Sequence, residues 1–180
     1  MQNLTLIPGA AQQMLMDVSL STGPWLSLLV AFPALVALLI WLVPGFKAIG
    51  RVIALWSSVA MLVAFILMAI WFNWAEAGTT QFVESYYWIP QIGLTWSMGV
   101  SSLGLVMLLL TGFLVPLVLI AAKSEDKDPS AAGGYAALIM VLYGFIVMIF
   151  AAYGLLVFYI AFEAMLIPVF FMIGRFGWGE

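Results

Sequence analysis

Glu163 is the residue in this 180-residue chain whose surroundings make an acid costly. It sits eight residues beyond Leu155, in a stretch of 40 residues (135–174) that holds no other charge. As a membrane-spanning helix, that stretch would carry Glu163 about 12 Å along its length from Leu155. A carboxylate near the middle of a bilayer costs roughly 3 kcal/mol on insertion scales, and such residues mark proton or ion paths by default. A desolvated carboxyl group holds its proton more tightly, and an approaching cation loosens it. A buried Glu beside a movable cation can therefore take up and release a proton. On a helix, Tyr159 (i−4) shares a face with Glu163 and is a candidate hydrogen-bond partner. Pro168 has no N–H, so the carbonyl of Ala164 loses its helical donor. That carbonyl is placed for a water bridge to Glu163. The alternative role for Glu163 is structural, as a hydrogen bond that holds two helices together.

The rest of the inventory narrows the chemistry. With no cysteine, the chain has no thiol nucleophile, disulfide or cysteine-bound cluster of its own. Without histidine, it lacks the commonest base, metal ligand and haem ligand. The net charge of −3, with no basic cluster, argues against nucleic acid as a partner. No metal or cofactor site is expected within the chain. The eleven methionines show no ligand spacing and read as apolar filler.

Elements long enough to position Glu163 follow from composition. The chain is 66% hydrophobic and 7% charged, which suits a lipid bilayer and not a soluble domain. A spanning helix needs about 20 apolar residues. Four apolar stretches meet that need: residues 25–44, 52–74, 99–122 and 135–174. The last is twice too long for one crossing and must fold back, with Ala152-Tyr153-Gly154 as its turn. The expected fold is therefore all-α and polytopic, a single membrane domain over residues 1–180 with spans at 25–44, 52–74, 99–122, 135–153 and 155–174. Lys47, Arg51, Lys123, Lys127 and Arg175 all fall on one side of this alternating model. Cations favour the cytoplasm, so the N-terminus is expected outside and the C-terminus inside. Residues 1–24 contain Asp17 and no Lys or Arg, so no cleaved signal is expected.

The connections differ in character. Residues 123–130 read as a solvated mixed-charge turn. The outer loop, residues 75–98, is aromatic. In it, Ile92, Leu94, Trp96 and Met98 alternate with polar or small residues, the period of a strand. Residues 82–89 are placed to pair with that strand across Pro90, giving a small hairpin that packs on a neighbouring subunit. The alternative is an interfacial aromatic belt. Pro33 and Pro116 predict kinks, and Ser57, Ser58, Ser101, Ser102 and Thr111 predict helix-packing hydroxyls.

The segment Leu155-Leu-Val-Phe-Tyr-Ile-Ala-Phe-Glu-Ala-Met-Leu-Ile-Pro168 resembles the fifth transmembrane helix of the antiporter-like subunits of respiratory complex I. Among these, the M subunit (NuoM) of bacterial NADH:quinone oxidoreductase is the best fit. Trp88-Ile-Pro-Gln-Ile-Gly93, Gly99-Val100 and Leu103-Gly-Leu-Val-Met-Leu-Leu-Leu-Thr111 resemble its outer loop and third helix. The two blocks span residues 88–178. In this family the fifth-helix Glu pairs with a lysine on the seventh helix during proton translocation coupled to quinone reduction. Carried over by position, Glu163 is that carboxylate and Pro168 the proline one turn beyond it. Ser101-Ser102 departs from the family's Asp-Gly pair.

Family members have about fourteen helices, so the resemblance implies an N-terminal portion, inactive in isolation. It also implies a multi-pass location in the bacterial inner membrane, with other complex I membrane subunits and the lipid bilayer as partners. Flavin, iron–sulfur and quinone chemistry would belong to partner subunits. Two other readings compete: a related cation/proton antiporter or membrane-bound hydrogenase subunit, and a non-catalytic membrane scaffold or assembly protein.

Overall fold

A computed structural model describes residues 24–89, 94–122 and 129–176. Five helices within them are long and apolar enough to cross a membrane. They are α1 (Trp25–Leu42), α2 (Gly50–Trp71), α3 (Ser102–Ala121), α4 (Pro129–Ala151) and α5 (Leu155–Phe176). Between α2 and α3 lie two strands, β1 (Gln81–Ile89) and β2 (Leu94–Val100), paired antiparallel. The mixed-charge segment 123–128, the Pro90 turn and the N-terminal residues through position 23, Asp17 among them, lie outside the described residues.

Helix ends differ from the expected spans for local reasons. Helix α1 stops at Leu42 because Val43 is extended (φ −94°, ψ 111°), the conformation that a following proline, here Pro44, imposes. The second helix begins at Gly50 and stops at Trp71, since Phe72 is already extended. The third starts at Ser102 because residues 94–100 are committed to β2. Ser101 caps it by accepting a hydrogen bond from the Gly104 N–H at 3.1 Å. The 40-residue apolar run breaks at Ala152-Tyr153-Gly154, between α4 and α5.

Helix α4 is the hub and packs against all four other helices. Lipid tails are as apolar as leucine, so helices in a bilayer associate through close packing and hydrogen bonds. Glycines provide the close approach here. Gly133 of α4 lies against the carbonyl of Lys47, and a Cβ on Gly50 would meet the Gly133 Cα at 3.2 Å. Gly144 of α4 lies against the Val30 carbonyl of α1, and Gly104 of α3 against the Phe150 carbonyl of α4. Tyr143, Phe65, Met140 and Leu108 fill the space between. The outside is apolar too: Leu155, Trp71 and Phe170 are 84%, 75% and 73% exposed, as a lipid-facing surface requires.

Side-chain hydroxyls divide by role. Ser58 and Thr111 bond carbonyls of their own helices, Leu55 and Met107, both at 2.8 Å. Ser102 instead donates to the carbonyl of Ala77 at 2.9 Å, tying α3 to the loop before β1. Pro33, Pro116 and Pro168 are all buried inside their helices.

The strand pair is fastened to the bundle at two points. Tyr153 and Gly154 donate their N–H groups to the Ser97 carbonyl at 3.1 and 3.3 Å, which bolts β2 to the α4–α5 turn. The second point is Glu84. Between the Gln81↔Val100 and Glu84↔Met98 pairs, β1 carries one residue more than β2. This bulge contains Phe82 with φ of 54°, a left-handed conformation that costs a non-glycine residue roughly 1–2 kcal/mol. Beyond the bulge Glu84 is only 3% exposed. Its carboxylate accepts from the Leu26 N–H at 2.6 Å, the Ser27 N–H at 3.2 Å and the Ser27 hydroxyl at 2.8 Å. These contacts tie the hairpin to α1 of the same chain.

The two fastenings place the start of α1, the hairpin and the α4–α5 turn at one end of the bundle. Lys47 and Arg51 lie at the other end. There the Arg51 guanidinium donates from Nε and Nη2 to the Leu119 carbonyl at 3.1 and 2.8 Å. That carbonyl is among the last in α3, which lack helical donors of their own.

Candidate functional site

Helix α5 carries the in-span carboxylate. Its apolar run starts right after the α4–α5 turn, and the Phe158 N–H bonds the Gly154 carbonyl to close the first turn. Val157, Ala161 and Pro168 are buried and form the stripe of α5 that packs inward. Their offsets of four, seven and eleven residues keep them on one side of a 3.6-residue helix. Glu163 falls on the opposite side and is exposed. Only 17% of the α5 span is buried, against 56% of α4, so most of α5 faces away from these five helices.

The surroundings of Glu163 are aromatic and apolar. Phe158 and Phe162 stack with centroids 6.3 Å apart and 14° between planes. Leu166, Ile167 and Phe170 continue the exposed surface along the helix. Tyr159 lies on the same side and is 58% exposed, but among the described residues it makes no hydrogen bond to Glu163. Nor does any described cation reach it. Arg175, twelve residues on along the same helix, is about 18 Å away by helical rise; Lys47 precedes α2 and Arg51 is its second residue, at the end of the bundle opposite the hairpin. Ala164 is half-buried beside the inward stripe. Pro168 has no N–H to donate to the Ala164 carbonyl. Pro116 acts in α3, away from α5, and does not join this site. Among the described residues there is no group of three or more acidic, His or Cys side chains placed to hold a metal ion.

No protein-family model matches the chain. Curated relatives do. Chain 4 of NAD(P)H-quinone oxidoreductase from Synechococcus elongatus is 36% identical over 163 residues, 89% of this chain and 30% of that protein. The corresponding chain 4 of Thermosynechococcus vestitus is 36% identical over 161 residues, with 88% and 30% covered. Subunit M of NADH-quinone oxidoreductase from Mycobacterium tuberculosis is 34% identical over 184 residues, with 87% and 33% covered. The chain is a homologue of part of the chain 4/subunit M proteins. It spans about 30% of the length of the relatives it matches first. The five-helix membrane bundle and the family resemblance of the Glu163 segment agree with that relationship.

One functional-class residue escaped the sequence reading. Glu84 counts in the sequence as one more loop charge; in the fold it is buried and caps α1 from 57 and 58 residues away. A signal for it existed. The residue before α1 is Pro24, whose side chain offers no cap. A buried helix start without its own Ser, Thr, Asp or Asn needs an acceptor from elsewhere. Tyr143 also escaped notice: it is fully buried in α4 and its hydroxyl has no hydrogen-bond partner among the described residues.

Proposed function

We propose that this chain is the N-terminal portion of a proton-translocating membrane subunit of a bacterial NADH:quinone oxidoreductase, and that Glu163 carries the proton. One observation carries the reading. Among the described residues, the single acid inside a span, Glu163, sits on the face of α5 that the five helices leave uncovered. Leaving a carboxylate against lipid there costs several kcal/mol. The offset comes from further helices of the same subunit, or from neighbouring subunits, that bring a cation to this face. Approach of that cation favours release of the proton, and its withdrawal favours uptake. Homology to chain 4 and subunit M supports the assignment.

In this reading the cation-bearing end faces the cytoplasm and the hairpin end faces outward, in the bacterial inner membrane. Tyr159 lies one turn from Glu163 and takes part by rotating toward it once the face is covered. The chain supplies no group for hydride or electron transfer, so flavin, iron–sulfur and quinone chemistry reside in partner subunits. The isolated chain is inactive.

The test is Glu163→Gln in the assembled complex, measuring quinone reduction and proton pumping together. Pumping and coupled quinone reductase activity fall, while the amount of assembled complex is maintained. If both activities are unaltered, Glu163 is not the proton carrier. The scaffold reading makes the opposite forecast: Glu163→Leu assembles better and costs no activity.

A further inference from the structure

Helix α5 is the least enclosed of the five spans, and α4 is its main neighbour in the bundle. Its inward stripe of Val157, Ala161 and Pro168 is no more apolar than its outward face. Lipid tails are as apolar as leucine, so burial does little to choose one rotation of α5 over another. Keeping Glu163 on the outward face takes a directional tie.

That tie lies at the start of the helix. Ala152, in the α4–α5 turn, forms an antiparallel bridge with Met98. The next two residues, Tyr153 and Gly154, donate their N–H groups to the Ser97 carbonyl at 3.1 and 3.3 Å. The turn thus lies along the edge of β2 that β1 leaves free. Gly154 also supplies the first carbonyl used by α5, accepting from the Phe158 N–H at 3.1 Å. The residue held by β2 therefore sets the direction of the helix. The strand is itself anchored, because Glu84 of β1 holds the Leu26 and Ser27 N–H groups of α1. The hairpin is a brace from the start of α1 to the start of α5. Glu163 lies nine residues beyond Gly154, about 14 Å along α5, so a rotation at the brace is carried to the carboxylate.

We propose that the Ser97 carbonyl is the anchor that holds α5 at one rotation and depth, with Tyr153 and Gly154 as positioning residues for Glu163. Glu163 is then the stationary member of its pair, and the approaching cation is the moving one. The inference rests on the reading of Glu163 as the proton carrier.

The test uses the assembled complex and two variants. Gly154→Pro removes one of the two N–H donors to Ser97. It spares the helix, because α5 uses only the Gly154 carbonyl, and α1 starts on a proline, Pro24, whose carbonyl serves Leu28 in the same way. A misplacement of about 1 Å can cost about 100-fold, and partial release of the anchor lowers proton pumping about tenfold. The protonated-carboxyl infrared band that Glu163→Gln abolishes also shifts. The second variant, Ser97→Cys with Gly154→Cys, replaces the tie by a disulfide. A Cβ on Gly154 would lie 3.7 Å from the Ser97 Cβ, within the disulfide range of about 3.5–4.5 Å. Oxidised, this variant pumps at the parental rate with the parental band. Parental pumping and an unshifted band in Gly154→Pro overturn the proposal. So does an oxidised bridge that stops pumping until it is reduced, because α5 then has to move. If the band survives Glu163→Gln, the proton-carrier reading has failed and this inference with it. Loss of the band in Glu163→Gln beside parental behaviour of Gly154→Pro isolates the failure to the anchor.

Discussion

Replacing Glu84 with alanine removes a cap that α1 cannot supply for itself. In α1 the N–H of Leu28 is satisfied by the Pro24 carbonyl, while those of Leu26 and Ser27 depend on Glu84. Loss of an N-cap costs about 1 kcal/mol. Each buried donor left without an acceptor costs a further 1–3 kcal/mol or so. Leu26 is 2% exposed, so its N–H has little access to replacement water. Ser27 is only partly buried and recovers some of its loss. The sum for Glu84→Ala is about 3 kcal/mol. Glu84→Gln keeps one carbonyl oxygen for Leu26 but turns an amide N–H₂ toward the Ser27 N–H, and costs about 1–2 kcal/mol by the same scale. Reversible unfolding in mild detergent measures both, and amide exchange at Leu26 and Ser27 locates the damage. Exchange at these two positions speeds up in Glu84→Ala, while α4 stays protected. A Glu84→Ala protein within about 0.5 kcal/mol of the parent, the scatter of neutral surface changes, with Leu26 still protected, would refute the reasoning.

Two further predictions follow from packing and sidedness. Gly133→Ala pushes a methyl group into the Lys47 backbone, which cannot rotate away, and costs about 1–3 kcal/mol. Gly174→Ala has open space and is neutral or stabilising by up to about 1 kcal/mol; equal melting temperatures for the two variants would contradict the packing account. A cysteine at Gly78 and one at Gly45 both occupy open positions at opposite ends of the bundle, and the chain has no native cysteine to interfere. A membrane-impermeant maleimide added outside intact cells labels Gly78→Cys and spares Gly45→Cys; the reverse pattern would invert the proposed orientation.

The helices were legible because apolar runs of membrane length allow few other structures. Even the fold-back at residues 152–154 could be read, since 40 apolar residues exceed one crossing. Helix ends were less legible, because they depend on single backbone conformations at Val43, Phe72 and Ser101. Strand alternation around Trp96 and Met98 signalled β2, but nothing local signalled that Glu84 would turn inward. That outcome depends on a bulge at Phe82 and on an uncapped helix start 57 residues earlier. Glu163 stood out from composition alone. Its outward placement did not, because the inward stripe of Val157, Ala161 and Pro168 is no more apolar than the opposite face. Tyr159 was paired with Glu163 by helical spacing. Spacing puts two residues on one side of a helix without making them touch, and both point away from the bundle.

The central claim is that Glu163 gains and loses a proton during turnover. Infrared difference spectroscopy on the assembled complex, comparing the resting and quinone-reducing states, reads that event at the carboxyl group itself. A carbonyl band of a protonated carboxylic acid should change during turnover, shift in Glu163→Asp and vanish in Glu163→Gln. A band that persists unchanged in Glu163→Gln, in a complex that still pumps, would contradict the account.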